Sequence, residues 1–255
     1  MEFPYKTDKL WKQYLLPESK IHGARFSIPL LIDLINTYTR EGDFILDPMA
    51  GIGSIFVALT LKRNVYGIEL EKRFADIARL NIQHIEKHYD TNRAIGIIIQ
   101  ADTRRVLPLP VHIDCIITSP PYGSSKHQLS KHDQEVLEAI FGSLGESYTV
   151  GKANPAQLGN MSYQMQRWEM DKIYRKCYEQ LKPKGLLITV TKDQIIDGKR
   201  VEIGKGTIKA CLDAGFILKE KHTRLCHVTG MQRLHMKEEG YKPITKEDVF
   251  CFHKV

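Results

Sequence analysis

Short apolar runs rich in β-branched residues alternate with longer amphipathic stretches through most of this 255-residue chain. The short runs predict buried strands and the longer stretches predict helices. This alternation is typical of an α/β fold, a doubly wound and mostly parallel sheet with helices on both faces. Parallel crossovers are right-handed, so the carboxyl ends of the strands share one edge, where such sheets bind ligands.

The predicted elements follow one another in chain order. A helix begins at residue 28 after the candidate N-cap Ser27, with Pro29 in its first turn, and ends before Gly42. The predicted strands cover 44–46, 65–69, 94–100, 113–117 and 186–191, and 216–218 and 249–252 form an antiparallel pair. The further helices cover 55–61, 74–88, 163–181 and 207–214.

A glycine-containing turn follows the first strand. Asp47 ends the strand, and Gly51 and Gly53 precede the next helix. Glycines at this place let the backbone approach a ligand closely. The turn lacks the third glycine of the dinucleotide fingerprint, and Asp47 would repel a pyrophosphate. The turn therefore suits a ligand that carries an amino group.

Two more acids follow strands. Glu69 comes about 20 residues after the turn, a spacing at which an acid commonly binds ribose hydroxyls, although it could also cap a helix. Asp102 follows the third strand and could accept a hydrogen bond from an adenine amino group or serve as a cap or turn aspartate.

The strand at 113–117 is followed by Thr118-Ser119-Pro120-Pro121-Tyr122-Gly123. Each proline restricts the residue before it to extended geometry and cannot donate to the ladder. The Ser119 hydroxyl and the carbonyls of Ser119 and Pro120 are then held at the edge, beside the ring of Tyr122. This arrangement offers acceptors for an amino group and a stacking surface for a planar base; a proline-rich turn without function is the alternative.

Composition favours a nucleic-acid partner and an intracellular location. The chain has 37 Lys and Arg against 30 Asp and Glu, a net charge of +7, and a pI of about 9.0, which fits a polyanionic partner. The five cysteines show no C-x-x-C spacing and indicate a reducing compartment without a zinc site. No apolar run approaches the roughly 20 residues of a membrane span. We expect a cytoplasmic protein with no metal and no membrane partner.

The chain is predicted to be one domain, 1–255. A polar insertion at about 124–160 faces the crevice, and a basic loop lies at about 225–245. Candidate nucleic-acid contacts are Lys126, His127, Arg224 and Arg233. A solvated surface is the alternative for the basic loop.

Two motifs carry a family resemblance. The turn from Asp47 to Gly53 resembles the S-adenosylmethionine turn of the amino-methyltransferases that act on nucleic acid. Ser119-Pro120-Pro121-Tyr122 resembles their catalytic tetrad. The resemblance implies a seven-stranded class I (Rossmann-like) methyltransferase sheet with an antiparallel terminal strand. It also implies S-adenosylmethionine as cofactor and direct methyl transfer to an exocyclic amino group.

The resemblance also implies site residues. His22, Arg25 and Phe26 would lie near the methionine end of the cofactor. The catalytic residues would be Ser119, Pro120, Pro121 and Tyr122. The cofactor site would comprise Phe26, Asp47, Pro48, Met49, Ala50, Gly51, Gly53, Ser54, Glu69, Leu70, Asp102, Thr103 and Ser119.

The Ser form of the tetrad is more typical of cytosine-N4 enzymes and the Asp form of adenine-N6 enzymes, so cytosine N4 in DNA is the first expectation. RNA stays open, because relatives acting on ribosomal RNA cytosines share these motifs and the chain lacks a sizeable target-recognition region. Adenine N6 in DNA stays open as well.

Three other classes of protein would account for fewer of these sequence features. A small-molecule methyltransferase would not need the Pro-Pro-Tyr platform, an oxidoreductase would need the third glycine, and a binding module would not need the aligned acids. Cytosine-C5 chemistry needs a cysteine nucleophile, commonly after a proline, and the chain has no Pro-Cys pair.

Overall fold

An eight-stranded sheet forms the centre of the computed structural model, which describes residues 2–3, 8–22, 25–121, 156–196, 199–226 and 244–255. The strands are β1 Glu2–Phe3, β2 Phe44–Asp47, β3 Asn64–Glu69, β4 Gly96–Gln100, β5 Ile113–Thr118, β6 Leu181–Thr191, β7 Gln194–Ile196, β8 Lys199–Val201, β9 Ile217–Leu225 and β10 Lys246–His253. In the main sheet they follow the order β1-β9-β10-β6-β5-β2-β3-β4, and β7 and β8 form a separate hairpin. Only β10 runs antiparallel to its neighbours among the paired strands of the main sheet.

The predicted α/β sheet is confirmed, with a class I, Rossmann-like arrangement of seven strands. The two-residue strand β1, which pairs parallel with β9, is an addition at the edge. The antiparallel strand β10 is the last in sequence and lies between β6 and β9.

The beginning of β6 differs from the prediction. The strand was expected to start at residue 186, after a helix that ends at residue 181, but it starts at Leu181. Leu181 pairs with Ile113, and the register then shifts before Leu186 pairs with Cys115. Lys184 in this stretch has a left-handed φ of 63°. Residues 182–185 therefore form an irregularity inside the strand.

Six α-helices lie in the described part of the chain: α1 Trp11–Tyr14, α2 Ile28–Tyr38, α3 Lys72–His88, α4 Thr103–Val106, α5 Tyr163–Gln180 and α6 Ile203–Asp213. Pro17–Ile21, Ser54–Leu61 and Leu158–Asn160 are 3-10 helices. The segment expected as an α-helix from residue 55 is therefore a 3-10 helix. It lies between two residues of left-handed conformation, Gly53 and Lys62.

The two faces of the sheet carry separate hydrophobic clusters. Ile45 and Ile188 join the cluster under α2 and α3, whereas their neighbours Leu46 and Leu187 join the cluster under α5 and α6. This alternation follows from the period of two in a strand. Trp168 of α5 joins neither cluster, because its side chain is 62% exposed. None of the helices in the described ranges is long and apolar enough to cross a membrane.

Candidate active site at the carboxyl edge of the sheet

The glycine turn is built by backbone geometry that few residues allow. The Ala50 amide donates to the Ile68 carbonyl at 2.9 Å, which ties the turn to β3. Gly53 has φ 82°, and a Cβ atom there would lie 2.7 Å from Cδ2 of Phe56 and 2.9 Å from Cβ of Ala78. A side chain at this position would therefore displace both the 3-10 helix and α3.

Asp47 and Glu69 are buried at the ends of adjacent strands, 3% and 8% exposed. Oδ1 of Asp47 accepts from the Met49 amide at 3.0 Å. Oε2 of Glu69 accepts from the Gly51 amide at 2.8 Å, and its Oε1 accepts from the Glu71 amide at 2.8 Å. A carboxylate oxygen can accept more than one hydrogen bond. Glu69 therefore shapes the glycine turn and keeps acceptor capacity for two ligand hydroxyls.

Burial changes the protonation of both acids. Loss of hydration raises the pKa of Asp47 to about 7, although its hydrogen bond from the Met49 amide opposes the rise. Burial likewise raises the pKa of Glu69 to about 7 against two amide hydrogen bonds, and the nearby charges of Glu71 and Asp47 add to the rise. The two carboxyls therefore change charge near neutral pH.

Asp102 and Thr103 extend this edge to α4. The Thr103 hydroxyl donates to the Pro48 carbonyl, within the turn. Asp102 caps α4 by accepting from the Arg104 amide at 3.0 Å, and its Oδ2 pairs with the Arg104 guanidinium at 2.7 Å. Burial alone would raise the pKa of Asp102, but the hydrogen bonds from Arg104 outweigh it and lower the pKa. Asp102 therefore serves as a helix cap, one of the two alternatives from sequence, and its contact with an adenine amino group stays a prediction.

Arg104 connects the cofactor edge to α5. Its second nitrogen, Nη1, lies 2.8 Å from Oε2 of Glu169. The two carboxylates raise the pKa of Arg104 above its ordinary range. Sequence reasoning missed this pair, because residues 104 and 169 are far apart in the chain and neither belongs to a motif.

Asn81 of α3 anchors the N-terminal segment to the turn. Its amide nitrogen donates to the Ile52 carbonyl at 2.8 Å and to the Ser19 hydroxyl at 3.0 Å. Its amide oxygen accepts from the Leu16 amide at 2.9 Å. These hydrogen bonds were not predicted, although a polar residue on an otherwise apolar helix face was a detectable signal.

His22 lies over the turn, and its position near the methionine end of the cofactor stays a prediction. A Cβ atom at Gly51 would be 3.2 Å from its Nε2, and its ring meets that of Phe74 edge to face at 4.7 Å. Phe26 is half-buried and packs against the cluster that contains Ala50. Arg25 lies over the ring of Trp11, 4.7 Å from its centroid.

Ser119, Pro120 and Pro121 leave the sheet beside the glycine turn. They follow β5, which pairs with β2 through Ile116 and Leu46 and with β6 through Thr118 and Thr189. The Pro121 carbonyl accepts a hydrogen bond from Nε2 of Gln166 on α5. Gln166 is buried, and no sequence motif predicted its contact with the tetrad.

The remaining predicted site residues lie in different surroundings, and some lie outside the described part of the chain. Ser54 and Ala50 are buried in or beside the turn, Met49 packs against the cluster under α5, and Leu70 is partly exposed after β3. Tyr122, Lys126, His127 and Arg233 lie outside the described residues, as does most of the expected insertion and basic loop. Within the described ranges, no three His, Cys, Asp or Glu side chains are placed to hold a metal ion.

The structure does not agree with the predicted phosphate contact of Arg224. It was expected to contact phosphates from the basic loop, but it lies in β9 and is 8% exposed. Its guanidinium pairs with Glu247 at 3.1 Å and donates to the Ser27 hydroxyl at 2.9 Å. The side chain therefore joins β10 to the start of α2 and does not face a polyanion.

The sheet order, the glycine turn and the acid after β3 define a class I methyltransferase fold. TrmN from Thermus thermophilus has a similar structure with a TM-score of 0.55 and 18% identity, over 94% of this chain and 52% of that one. A magnesium protoporphyrin IX methyltransferase from Synechocystis, solved with bound S-adenosylhomocysteine, is similar with a TM-score of 0.52 and 10% identity, over 93% of this chain and 83% of that one. These likenesses concern the fold.

Sequence comparisons find similarity to methyltransferases that act on nucleic acid. Residues 3–80 match the model of the N6/N4 DNA methylase family. A tRNA (guanine(10)-N2)-dimethyltransferase from Methanothermobacter thermautotrophicus is 30% identical over 128 residues, 47% of this chain and 35% of that protein. The type II methyltransferase M.BglII from Bacillus subtilis is 36% identical over 62 residues, 24% of this chain and 17% of that protein. Over the matched residues the chain is similar to the N4/N6 amino-methyltransferases. Its matches span about a third and a sixth of the two relatives.

Proposed function

We propose that this protein transfers a methyl group from S-adenosylmethionine to the exocyclic amino group of a nucleobase in nucleic acid, with cytosine N4 in DNA as the first candidate. The observation that carries the proposal is the contact of Glu69 with the glycine turn beside the strand that leads to Ser119-Pro120-Pro121. The match of residues 3–80 to the DNA methylase model and the S-adenosylhomocysteine bound to the Synechocystis structure support the cofactor.

The residues at the edge fit this cofactor. The spare acceptor capacity of Glu69 suits the two ribose hydroxyls, and the close approach at Gly51 and Gly53 suits a ligand lying against the backbone. Asp47, buried at the mouth of the turn, suits a cationic amino group. When bound, the cofactor supplies a methyl group on a sulfonium, which is a good electrophile.

The tetrad would prepare the nucleophile. The lone pair of an aryl amine is delocalised into its ring, so the enzyme must localise it and direct it at the methyl carbon. The Ser119 hydroxyl and the Pro120 carbonyl would accept from the two amine hydrogens and favour a tetrahedral nitrogen. Tyr122 would stack on a base that is unpaired or turned out of its helix. Transfer would then be direct, without a covalent enzyme intermediate: the nitrogen–carbon bond would form as the carbon–sulfur bond of the sulfonium breaks, and the nitrogen would lose one proton.

The Ser form of the tetrad and the DNA methylase model favour cytosine in DNA. RNA is the second candidate, because the archaeal relative is named for a tRNA guanine amino group and its match is twice as long as that of M.BglII. With either DNA or RNA as substrate, an exocyclic amine would meet the Ser119 hydroxyl and the Pro120 carbonyl.

The test is incubation of the protein with methyl-labelled cofactor and separate pools of DNA and RNA, followed by digestion of the product to nucleosides. We expect label in one pool, on an exocyclic amine. Ser119→Ala and Tyr122→Ala should each lower methyl transfer by about 100-fold or more, the range for loss of a transition-state contact. Cofactor affinity should stay within a few-fold.

Thr37→Ala removes an exposed hydroxyl on α2 and serves as the control that keeps full activity. Equal loss of methyl transfer and of cofactor binding in the tetrad variants would contradict the assigned roles. Label on carbon 5 of a pyrimidine, or in neither pool, would contradict the proposed reaction.

A further inference from the structure

A pocket lies between the proline pair and α5. Pro120 and Pro121 line one side of it, Tyr163 and Gln166 of α5 line another, and Thr191 lies at the end of β6. More of its described lining residues belong to α5 than to any other element. The placement of α5 therefore sets the width of the space beside the tetrad, to which the proposed function assigns the target base.

Gln166 connects α5 to the tetrad. Its Nε2 donates to the Pro121 carbonyl, and its side chain is only 6% exposed. A side chain in a closely packed interior has little freedom to change its rotamer, so it transmits a displacement of its helix. A displacement of α5 would therefore move the Pro121 carbonyl, and with it the preceding Pro120 carbonyl that is proposed to accept from the target amine.

A second attachment of α5 lies about one turn further along the helix. Glu169 is 8% exposed and pairs with two cations. Its Oε2 lies 2.8 Å from Nη1 of Arg104, and its Oε1 lies 2.8 Å from the ammonium of Lys172. Lys172 belongs to α5 itself, so it cannot fix the helix relative to the rest of the molecule. Of these two cations, Arg104 alone ties α5 to another element, α4.

Arg104 is held at the cofactor edge by a bidentate ion pair. Its Nε and Nη2 lie 2.8 and 2.7 Å from the two carboxylate oxygens of Asp102, which comes shortly after β4. Its Nη2 also donates to the Ala156 carbonyl at 2.9 Å. A bidentate pair fixes direction as well as distance, and the Arg104 side chain is only 15% exposed. Solvent therefore screens these contacts less than those of a surface ion pair.

We propose that Arg104 is a positioning residue for methyl transfer, which fixes α5, and through Gln166 the Pro121 carbonyl, relative to the cofactor edge of the sheet. This inference rests on the proposed function. The methyl donor and the target amine are then held by different elements, and a misplacement of about 1 Å between them can cost about 100-fold in rate. Arg104 is assigned no contact with either reacting group, so its loss should lower kcat more than it weakens binding.

Arg104→Lys separates the geometry of this connection from its charge. A lysine keeps a positive charge near both carboxylates, and the backbone amide that donates to Asp102 at 3.0 Å stays in place. The thermal midpoint of unfolding should therefore change by only a few degrees. A single ammonium cannot pair with both oxygens of Asp102 and also reach Glu169, so α5 loses its fixed position. Arg105→Lys, an exposed change on the same helix α4, is the matched control.

The experiment measures methyl transfer to the nucleic acid labelled in the assay above, with kcat expressed per cofactor-binding site. Arg104→Lys should lower kcat by about 3- to 10-fold, and it should leave Kd for S-adenosylmethionine and KM for the nucleic acid within about 3-fold. Arg105→Lys should leave all three constants unchanged. A purely structural role for Arg104 would reduce the number of binding sites and leave kcat per site unchanged.

Two further variants test whether the effect of Arg104 passes through α5. In a Gln166→Leu background, Arg104→Lys should lower kcat little further, as in a double-mutant cycle of coupled residues. Glu169→Gln keeps an oxygen that accepts from Arg104 and should retain most of the wild-type kcat, whereas Glu169→Leu should lose about as much as Arg104→Lys.

Three results would overturn the proposal. They are an unchanged kcat per site in Arg104→Lys, a loss confined to cofactor affinity, and losses that add fully to that of Gln166→Leu. Absence of methyl transfer by the wild type would instead overturn the proposed function and this inference with it.

Discussion

The two halves of the carboxyl edge are built by different means. On the cofactor side, Asp47 and Glu69 are fixed by amides within a few residues of the strands that carry them or in the adjoining turn. On the target side, the Pro121 carbonyl is fixed by Gln166, 45 residues further along the chain and on another element. The first half is a product of local backbone geometry and the second of tertiary packing.

The difference has a functional meaning. Enzymes that bind the same cofactor can use the same glycine turn and the same acid after the next strand. Backbone amides hold that acid in place, so its position does not depend on the identity of the surrounding side chains. The nucleic-acid side depends on individual side chains, which can change without loss of the sheet. The two halves should therefore respond differently to substitution and to pH.

The largest expected effect concerns Glu69. Glu69→Gln should weaken S-adenosylmethionine binding by about 10- to 100-fold, because one of its two amide contacts would face an NH2 group, which leaves a buried donor unpaired. Titration calorimetry measures this change. Glu86→Gln, an exposed change on α3, is the control. Unchanged affinity of Glu69→Gln would mean that the cofactor does not lie at this turn.

A smaller effect is expected at Gln166. Gln166→Leu should lower kcat by about 10-fold and leave cofactor affinity unchanged, because the Pro121 carbonyl loses the donor that positions the tetrad. Gln166→Glu can donate only when protonated, so its kcat relative to wild type should rise as the pH falls. Steady-state kinetics with Gln164→Leu, an exposed change two residues away on α5, provides the comparison. If Gln166→Leu lowered kcat and cofactor affinity in proportion, the cofactor side and the target side of the edge would not be functionally separate.

The smallest effect concerns pH and should arise on the cofactor side alone. Asp47 and Glu69 have pKa values raised to about 7 in the folded protein, so between about pH 5 and 7 the folded state holds protons that the unfolded chain has released. The free energy of unfolding of the cofactor-free protein should then fall as pH rises through this window, by about 1 kcal/mol or more, and level off above it.

Denaturant titrations at several pH values measure this slope. The double variant Asp47→Asn, Glu69→Gln should have a flatter profile across the same window. Gln166→Leu and Thr191→Val, which remove no titratable group, should keep the wild-type slope. A slope that survives in the double variant would assign the proton uptake to other groups.

Sequence patterns predicted the parts of the molecule that depend on local rules. Alternation of apolar runs gave the strands, and the turn at Gly51 and Gly53 followed from residues whose conformations, φ 54° and 82°, favour glycine. Glu69 followed from its spacing to that turn. These features are encoded within about 25 residues of one another, so they can be read without knowledge of the tertiary structure.

The rest of the site depends on contacts between distant parts of the chain. Nothing near Arg104 in sequence indicates that Glu169 will pair with it, and nothing near Thr191 indicates a pocket. Arg224 was misassigned for the same reason: an arginine beside a basic loop looks exposed until Glu247 and Ser27 are placed around it. The role of a charged side chain can be assigned only when its ion-pair and hydrogen-bond partners are known.

The position of β10 has a consequence for how the molecule can come apart. In the main sheet, β9 is joined to the other strands through β10, and β1 is joined through β9. Loss of β10 would therefore release three strands together and expose the edge of β6, which ends at Thr191. Val249 is buried and lies opposite Val190. A proline in its place should make β9 and β1 susceptible to proteolysis at the same time. The glycine turn should stay folded, and resist cleavage, for longer.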